Sequence, residues 1–117
     1  IIQAFTSPEG RIVGVVPSYF MFQVYSEMYG RNFVKVPYNS DLSMDINNII
    51  AEMTEDTQLL ILLNPNNPMG NVYTDEEFEK IFLIAREKQI NILIDEAYHY
   101  FYPKTFINEI SSFIIKC

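Results

Sequence analysis

Short aliphatic runs of strand length alternate with segments of helical period, and this alternation limits the possible folds more than any other feature. Arg11-Ile12-Val13-Gly14-Val15-Val16 is a β-branched run closed by Pro17. Phe33-Val34-Lys35-Val36-Pro37, Leu59 to Leu63 and Ile90-Asn91-Ile92-Leu93-Ile94 follow, and Phe113 to Cys117 reads as a fifth strand after a short helix around Phe106 to Ile110. Continuous apolarity of this kind suits strands buried on both faces. Lys35 and Pro37 put the second strand at or near a sheet edge, where a charge and a missing N–H donor are tolerated.

The intervening segments read as helices. Tyr19 to Tyr29 sets Phe22, Tyr25, Ser26 and Tyr29 on one side and stops at Gly30. Asp45 to Met53 carries Ile46, Ile49, Ile50 and Met53 at helical spacing. Thr74-Asp75-Glu76-Glu77 is a capping box with acidic residues at the positive end of the dipole, and Phe78, Ile81, Phe82 and Ala85 form the apolar stripe behind it. Strand, helix, strand in steady alternation requires βαβ crossovers. The expected fold is therefore α/β: a three-layer α/β/α arrangement around a mainly parallel five-stranded sheet. At 117 residues the chain supports one domain, 1–117.

Composition excludes several functions. Fifteen acidic against eight basic side chains, a formal charge of −7, argue against a nucleic-acid partner or an anionic membrane, since phosphate binding needs a basic face. One cysteine and one histidine exclude a disulfide framework, a multi-cysteine zinc site and a histidine-based metal cluster. No apolar run approaches the roughly 20 residues of a membrane span, and Ile1-Ile2-Gln3 lacks the basic start of a signal peptide. A reducing compartment, the cytoplasm, is expected. The sequence opens without an initiator methionine and stops inside a strand pattern, so it reads as a fragment of a longer protein.

Ligands of parallel α/β sheets bind outside the carboxyl ends of the strands, which directs attention to the loops after Val16, Leu63 and Ile94. These carry Pro17-Ser18-Tyr19, Asn64-Pro65-Asn66-Asn67-Pro68-Met69-Gly70 and Asp95-Glu96-Ala97-Tyr98. Asp95 follows a run of apolar residues, where a carboxylate must be solvated, paired or used as a cap; capping a helix from Glu96 to Tyr100 is one reading and ligand contact is the other. Two prolines stiffen the middle loop around Asn67, whose amide is left to donate. Tyr19, close after a proline, reads as core packing, the usual job of an aromatic at a helix start.

The combination and order of these elements, with Asp95 standing 28 residues after Asn67, resembles fold-type I pyridoxal 5'-phosphate (PLP) enzymes. Among these the chain is similar to class I/II aminotransferases of the histidinol-phosphate aminotransferase type, which carry an N-P-N-N-P-T-G loop, a D-E-A-Y strand end and an upstream P-T-Y or P-S-Y. The resemblance runs from about Phe5 to Cys117. It implies that Tyr19 stacks on the PLP ring, that Asn67 and Tyr98 contact the phenolic oxygen, and that Asp95 pairs with the pyridine nitrogen. A carboxylate there raises the pKa of the ring nitrogen and keeps it protonated, so that the ring accepts electrons released when a Cα–H bond of the substrate breaks. Met69 stands where the family usually has threonine, and His99 reads as a surface residue.

The resemblance also implies what lies elsewhere. The Schiff-base lysine is expected beyond Cys117, the phosphate-binding turn before Ile1, and the arginine for the substrate carboxylate far beyond Cys117; Lys35, Lys104 and Lys116 match no motif, and no catalytic residue is nominated within the chain. The chain is expected to be the central part of the PLP-binding large domain, with strands ordered second, first, fourth, third, fifth. The implied parent is a homodimeric aminotransferase acting between an amino acid and an oxo acid or oxo compound, while the fragment alone is expected to be inactive and to bind PLP weakly if at all. A PLP-dependent decarboxylase or lyase of the same fold, or a non-enzymatic α/β binding module, are the alternatives.

Overall fold

The structure, a computed structural model, describes residues 1–106. In chain order the elements are α1 (Ile2–Phe5), β1 (Arg11–Val16), α2 (Met21–Met28), β2 (Asn32–Pro37), α3 (Ile46–Glu52), β3 (Thr57–Leu63), α4 (Asp75–Glu87), β4 (Asn91–Asp95) and a 3-10 turn at His99–Phe101. Among the described residues the sheet has four strands, all parallel, in the order β2-β1-β3-β4. The expected fifth strand, and the expected helix beyond Phe106, lie outside the described residues.

The order corrects one expectation: the third and fourth strands exchange places. β3 lies directly against β1, with Ile12 opposite Leu59 and Gly14 opposite Ile61, and β4 adds to the far side of β3, with Leu63 opposite Asp95. Burial supplies the reason. All five residues from Leu59 to Leu63 are at most 3% exposed, whereas no residue of β4 is fully buried. The more completely apolar run takes the interior position, where both faces and both edges are covered. Edge placement of β2 agrees with Lys35, which is exposed, and with Pro37 at its last pair with Val16.

Alternate residues of each strand point to opposite faces, and two cores result. Val13, Val15, Leu60 and Leu62 meet α3 and α4 through Ile49, Met53, Phe78 and Ile81. On the other face Ile12, Leu59 and Ile61 lie under Ile2 of α1 and Phe22 of α2. The three-layer α/β/α arrangement is thereby established. Gly14 is required where Phe33 crosses β1, because a Cβ there would come within 2.5 Å of the ring.

α3 and α4 begin at the caps that the sequence supplies. Thr74 Oγ1 accepts from the Glu77 N–H (3.2 Å) while a Glu77 carboxylate oxygen accepts from the Thr74 N–H (2.8 Å), completing the capping box of α4. Phe78, Ile81, Phe82 and Ala85 are the buried residues of that helix. Asp45 caps α3 by accepting from the Asn47 N–H at 2.8 Å. α2 starts two residues later than expected, which leaves Tyr19 and Phe20 in the loop that precedes it.

Candidate active site at the carboxyl edge of the sheet

Because all four strands run parallel, the segments after Val16, Pro37, Leu63 and Asp95 emerge along one edge. The Asn-Pro loop sits at the centre, since β3 lies between β1 and β4. Its first residue, Asn64, donates its N–H to the Asp95 carbonyl at 2.9 Å and accepts from the Tyr73 N–H at 3.1 Å through its side-chain oxygen. Asn64 is 1% exposed, and its side-chain nitrogen has no partner among the described residues. The loop closes on itself where the Asn66 N–H meets the Asn71 carbonyl (2.9 Å) and the Gly70 N–H meets the Asn66 carbonyl (2.7 Å). Gly70 has φ +74, a left-handed conformation that a Cβ would disfavour. The peptide bonds preceding Pro17, Pro65 and Pro68 are cis.

Asn67 and Tyr98, singled out in sequence on separate loops, are brought together. The Asn67 side-chain amide donates to the Tyr98 hydroxyl at 2.8 Å, and both groups remain accessible to solvent. The phenol is thus the acceptor in this pair, and its own hydrogen points to no partner among the described residues. Asp95 ends β4 half-buried, and one of its oxygens accepts from the Ala97 N–H at 2.9 Å. That contact meets the capping reading of Asp95 in shortened form: it holds a tight turn, and the helical segment that follows is only the 3-10 turn. No ion pair involves Asp95 among the described residues. Tyr19 is 47% exposed and packs edge-on against Phe22 with ring centres 5.3 Å apart, so it is not core packing. His99 is exposed, as expected, and its ring lies near that of Tyr100.

A groove of about 470 Å³ adjoins these residues on the α2 side of the sheet, lined among others by Gly14, Tyr19, Phe22, Phe33, Lys35 and Pro68. Tyr19 and Pro68 stand at both the groove and the loop cluster, but Asn67, Asp95 and Tyr98 do not line the groove. The chemistry-bearing side chains therefore define the candidate site, and the groove is its apolar neighbour.

Sequence reasoning passed over a further set of polar residues at the same edge. Asn66 is 5% exposed; its side-chain oxygen accepts from Ser18 Oγ at 2.6 Å, and its nitrogen donates to the Pro17 carbonyl at 2.9 Å and to the Tyr38 hydroxyl at 2.7 Å. Tyr38 in turn donates to the Asn71 side-chain oxygen. Burial raises the pKa of the Tyr38 phenol, against the opposing pull of its contacts with Asn66 and Asn71. Tyr38 follows the carboxyl end of β2, so the rule that directed attention to the other three loops applied to it as well. Which asparagine of Asn66-Asn67 turns inward carries no comparable signal.

Comparison with known proteins agrees with the fold. The model of the family described as aminotransferase class I and II matches residues 1–114. Histidinol-phosphate aminotransferase 2 of Burkholderia pseudomallei (strain 1710b) is 32% identical over 114 residues, 97% of this chain and 32% of that protein. The crystal structure of the histidinol-phosphate aminotransferase from Clostridium acetobutylicum superposes with a TM-score of 0.83 at 29% identity, covering 96% of this chain and 33% of that one. A PLP-bound structure from Clostridium difficile 630 gives a TM-score of 0.71 at 27% identity over 82% of this chain and 27% of its own. The chain thus spans about a third of the length of the relatives it matches. With the family model matched across nearly its whole length, the chain belongs to the aminotransferase class I and II family.

Proposed function

We propose that this chain is the central part of the cofactor-binding domain of a PLP-dependent aminotransferase, and that Tyr19, Asn67, Asp95 and Tyr98 hold the PLP ring. The observation that carries the reading is the Asn67–Tyr98 pair: an amide and a phenol 31 residues apart in sequence, the amide donating to the phenol oxygen at 2.8 Å, with Tyr98 on the loop that follows Asp95. The donor set suits the group. A half-exposed aromatic face suits a flat ring, an amide and a phenol suit a phenolate oxygen, and a carboxylate without a cation suits a protonated pyridine nitrogen.

Bound PLP supplies an electron sink for the pair released when a Cα–H bond of an amino acid breaks. The residues of this chain then act by position and charge. Asp95 holds the proton on the ring nitrogen, because a nearby negative charge favours the protonated form. The Ala97 N–H occupies one Asp95 oxygen, and the other would be available to the ring nitrogen. Tyr98, accepting from Asn67, is left to donate its own hydrogen, and both donors stabilise negative charge on the phenolic oxygen. Tyr19, half-exposed, would offer its ring to one face of the cofactor. The intact protein acts on amino-acid and oxo-acid substrates as a homodimer. No helix among the described residues is long and apolar enough to cross a membrane.

An absorbance scan of the full-length protein with PLP, before and after addition of amino-acid donors, tests the reading. A visible band of bound cofactor that bleaches with donor and returns with an oxo acid supports transamination. The absence of any such band overturns it, and bleaching accompanied by release of carbon dioxide moves the protein to the decarboxylases of this fold.

A further inference from the structure

Asn66 makes no contact that the cofactor reading requires, yet no side chain at this edge is more fully used. An amide side chain has two N–H donors and a carbonyl oxygen. Both donors are taken, by the Pro17 carbonyl and by the Tyr38 hydroxyl, and the oxygen accepts from Ser18. Its orientation is determined by these partners: turned over, the amide would set its oxygen against the Pro17 carbonyl, acceptor against acceptor. The direction of the chain is fixed as well. Tyr38 accepts from Asn66 and so must give its hydrogen to Asn71.

These contacts join three of the four loops at the carboxyl edge. Pro17 and Ser18 immediately precede Tyr19, Asn66 immediately precedes Asn67, and Tyr38 follows β2. We propose that Asn66, braced by Tyr38, is a positioning residue that sets the placement of the Tyr19 ring relative to the Asn67–Tyr98 pair. The proposal rests on the cofactor reading above and deepens it. Asn66 and Tyr38 are spent on protein partners, so each acts through its neighbour in sequence or space. Burial matters to the device, because a hydrogen bond shielded from water holds direction better than one in competition with solvent.

Tyr38→Phe is the test in the full-length protein, since it deletes one hydroxyl and keeps the ring. Without added PLP, amide hydrogen exchange is expected to quicken in the segments containing residues 17–19 and 66–71, although Tyr38 is in neither. With PLP, affinity measured by spectroscopic titration is expected to fall about tenfold, the loss of roughly one hydrogen bond. In a double-mutant cycle with Asn67→Ala the two losses should be less than additive, because Tyr38 acts through the loop that carries Asn67. Additive losses, or unchanged exchange in both segments, overturn the proposal. Ser18→Ala, which removes the contact on the other side of Asn66, should reproduce the exchange change at 17–19 should Tyr38→Phe fold poorly. A parent protein that binds no PLP defeats the cofactor reading and the positioning role together, whereas one that binds PLP with additive losses defeats the positioning role alone.

Discussion

The backbone N–H of Asn64 donates to the carbonyl of Asp95 at 2.9 Å, so the first residue of the Asn-Pro loop is fastened to the residue that ends β4. One parallel ladder, running from Leu59 opposite Asn91 to Leu63 opposite Asp95, therefore sets the height of both loops above the sheet. The segments that carry Asp95 and Asn67 are thus held together by backbone pairing at the strand ends.

Asp95→Asn separates charge from geometry. The amide oxygen can still accept from the Ala97 N–H, so the turn should persist, while the negative charge is lost. Under the proposed function the full-length variant should retain PLP but transaminate about a hundredfold more slowly, the order expected from losing one close charge partner. Stopped-flow absorbance with an amino-acid donor reads this directly. An undiminished rate would remove Asp95 from the role of ring-nitrogen partner.

Tyr73 makes alkaline stability informative. Burial pushes its phenol far above the usual tyrosine range, helped by nearby Tyr38 and Glu77. The folded state thus holds the proton that the unfolded state releases near pH 10. Stability from this group is complete below about pH 10 and falls as pH rises above it, because only the unfolded chain gains by ionising. Thermal melts of Tyr73→Phe should therefore lose less stability than wild type between about pH 10 and 12. Parallel loss in both proteins would show that the phenol ionises freely in the folded state.

The capping box of α4 predicts a stability effect without a cofactor effect. Thr74→Ala removes the acceptor for the Glu77 N–H and should cost about 1 kcal/mol. Denaturant unfolding should show a lower midpoint with an unchanged slope. PLP affinity should not change, because Thr74 lies on the exposed start of a helix that packs on the opposite side of β3 from the groove.

Phe106 anchors the segment after Tyr98. It is 1% exposed, its ring centre lies 3.8 Å from that of Phe78, and its N–H donates to the Glu96 carboxylate at 2.9 Å. Phe106→Ala should cost about 3–5 kcal/mol by opening a cavity at α4. Protease digestion should then cut sooner between Tyr98 and Phe106 than in wild type, and equal resistance would show that the Glu96 contacts alone hold this segment.

Much of this was legible in the chain because burial leaves a strong signature. The aliphatic runs marked β1, β3 and β4 to within two residues, and the buried set of α4 is the stripe read from its spacing. α1 was not legible: Ile-Gln-Ala-Phe has no side-chain cap and no repeat long enough to show a face. Strand order was misjudged where it was taken from resemblance, although the contrast between the unbroken Leu59–Leu63 run and the polar start of β4 at Asn91 pointed the right way. At the candidate site, the loops that carry Tyr19, Asn67, Asp95 and Tyr98 were visible by their place at strand ends, while the roles proposed for these residues came from the resemblance. Asn66 was hidden because two adjacent asparagines look alike in sequence; only the folded loop distinguishes the inward amide from the outward one.

The position of β1 has a consequence for what β3 must do. β2 covers only one side of β1. Without β3 the other side, Arg11 to Gly14, would present open backbone groups to any strand able to pair with them. β3 closes that edge, and the Asn-Pro loop that continues from it meets Ser18 and Tyr38 through Asn66. The strand that shields β1 from wrong pairing is thus the same strand that carries the Asn-Pro loop to its partners.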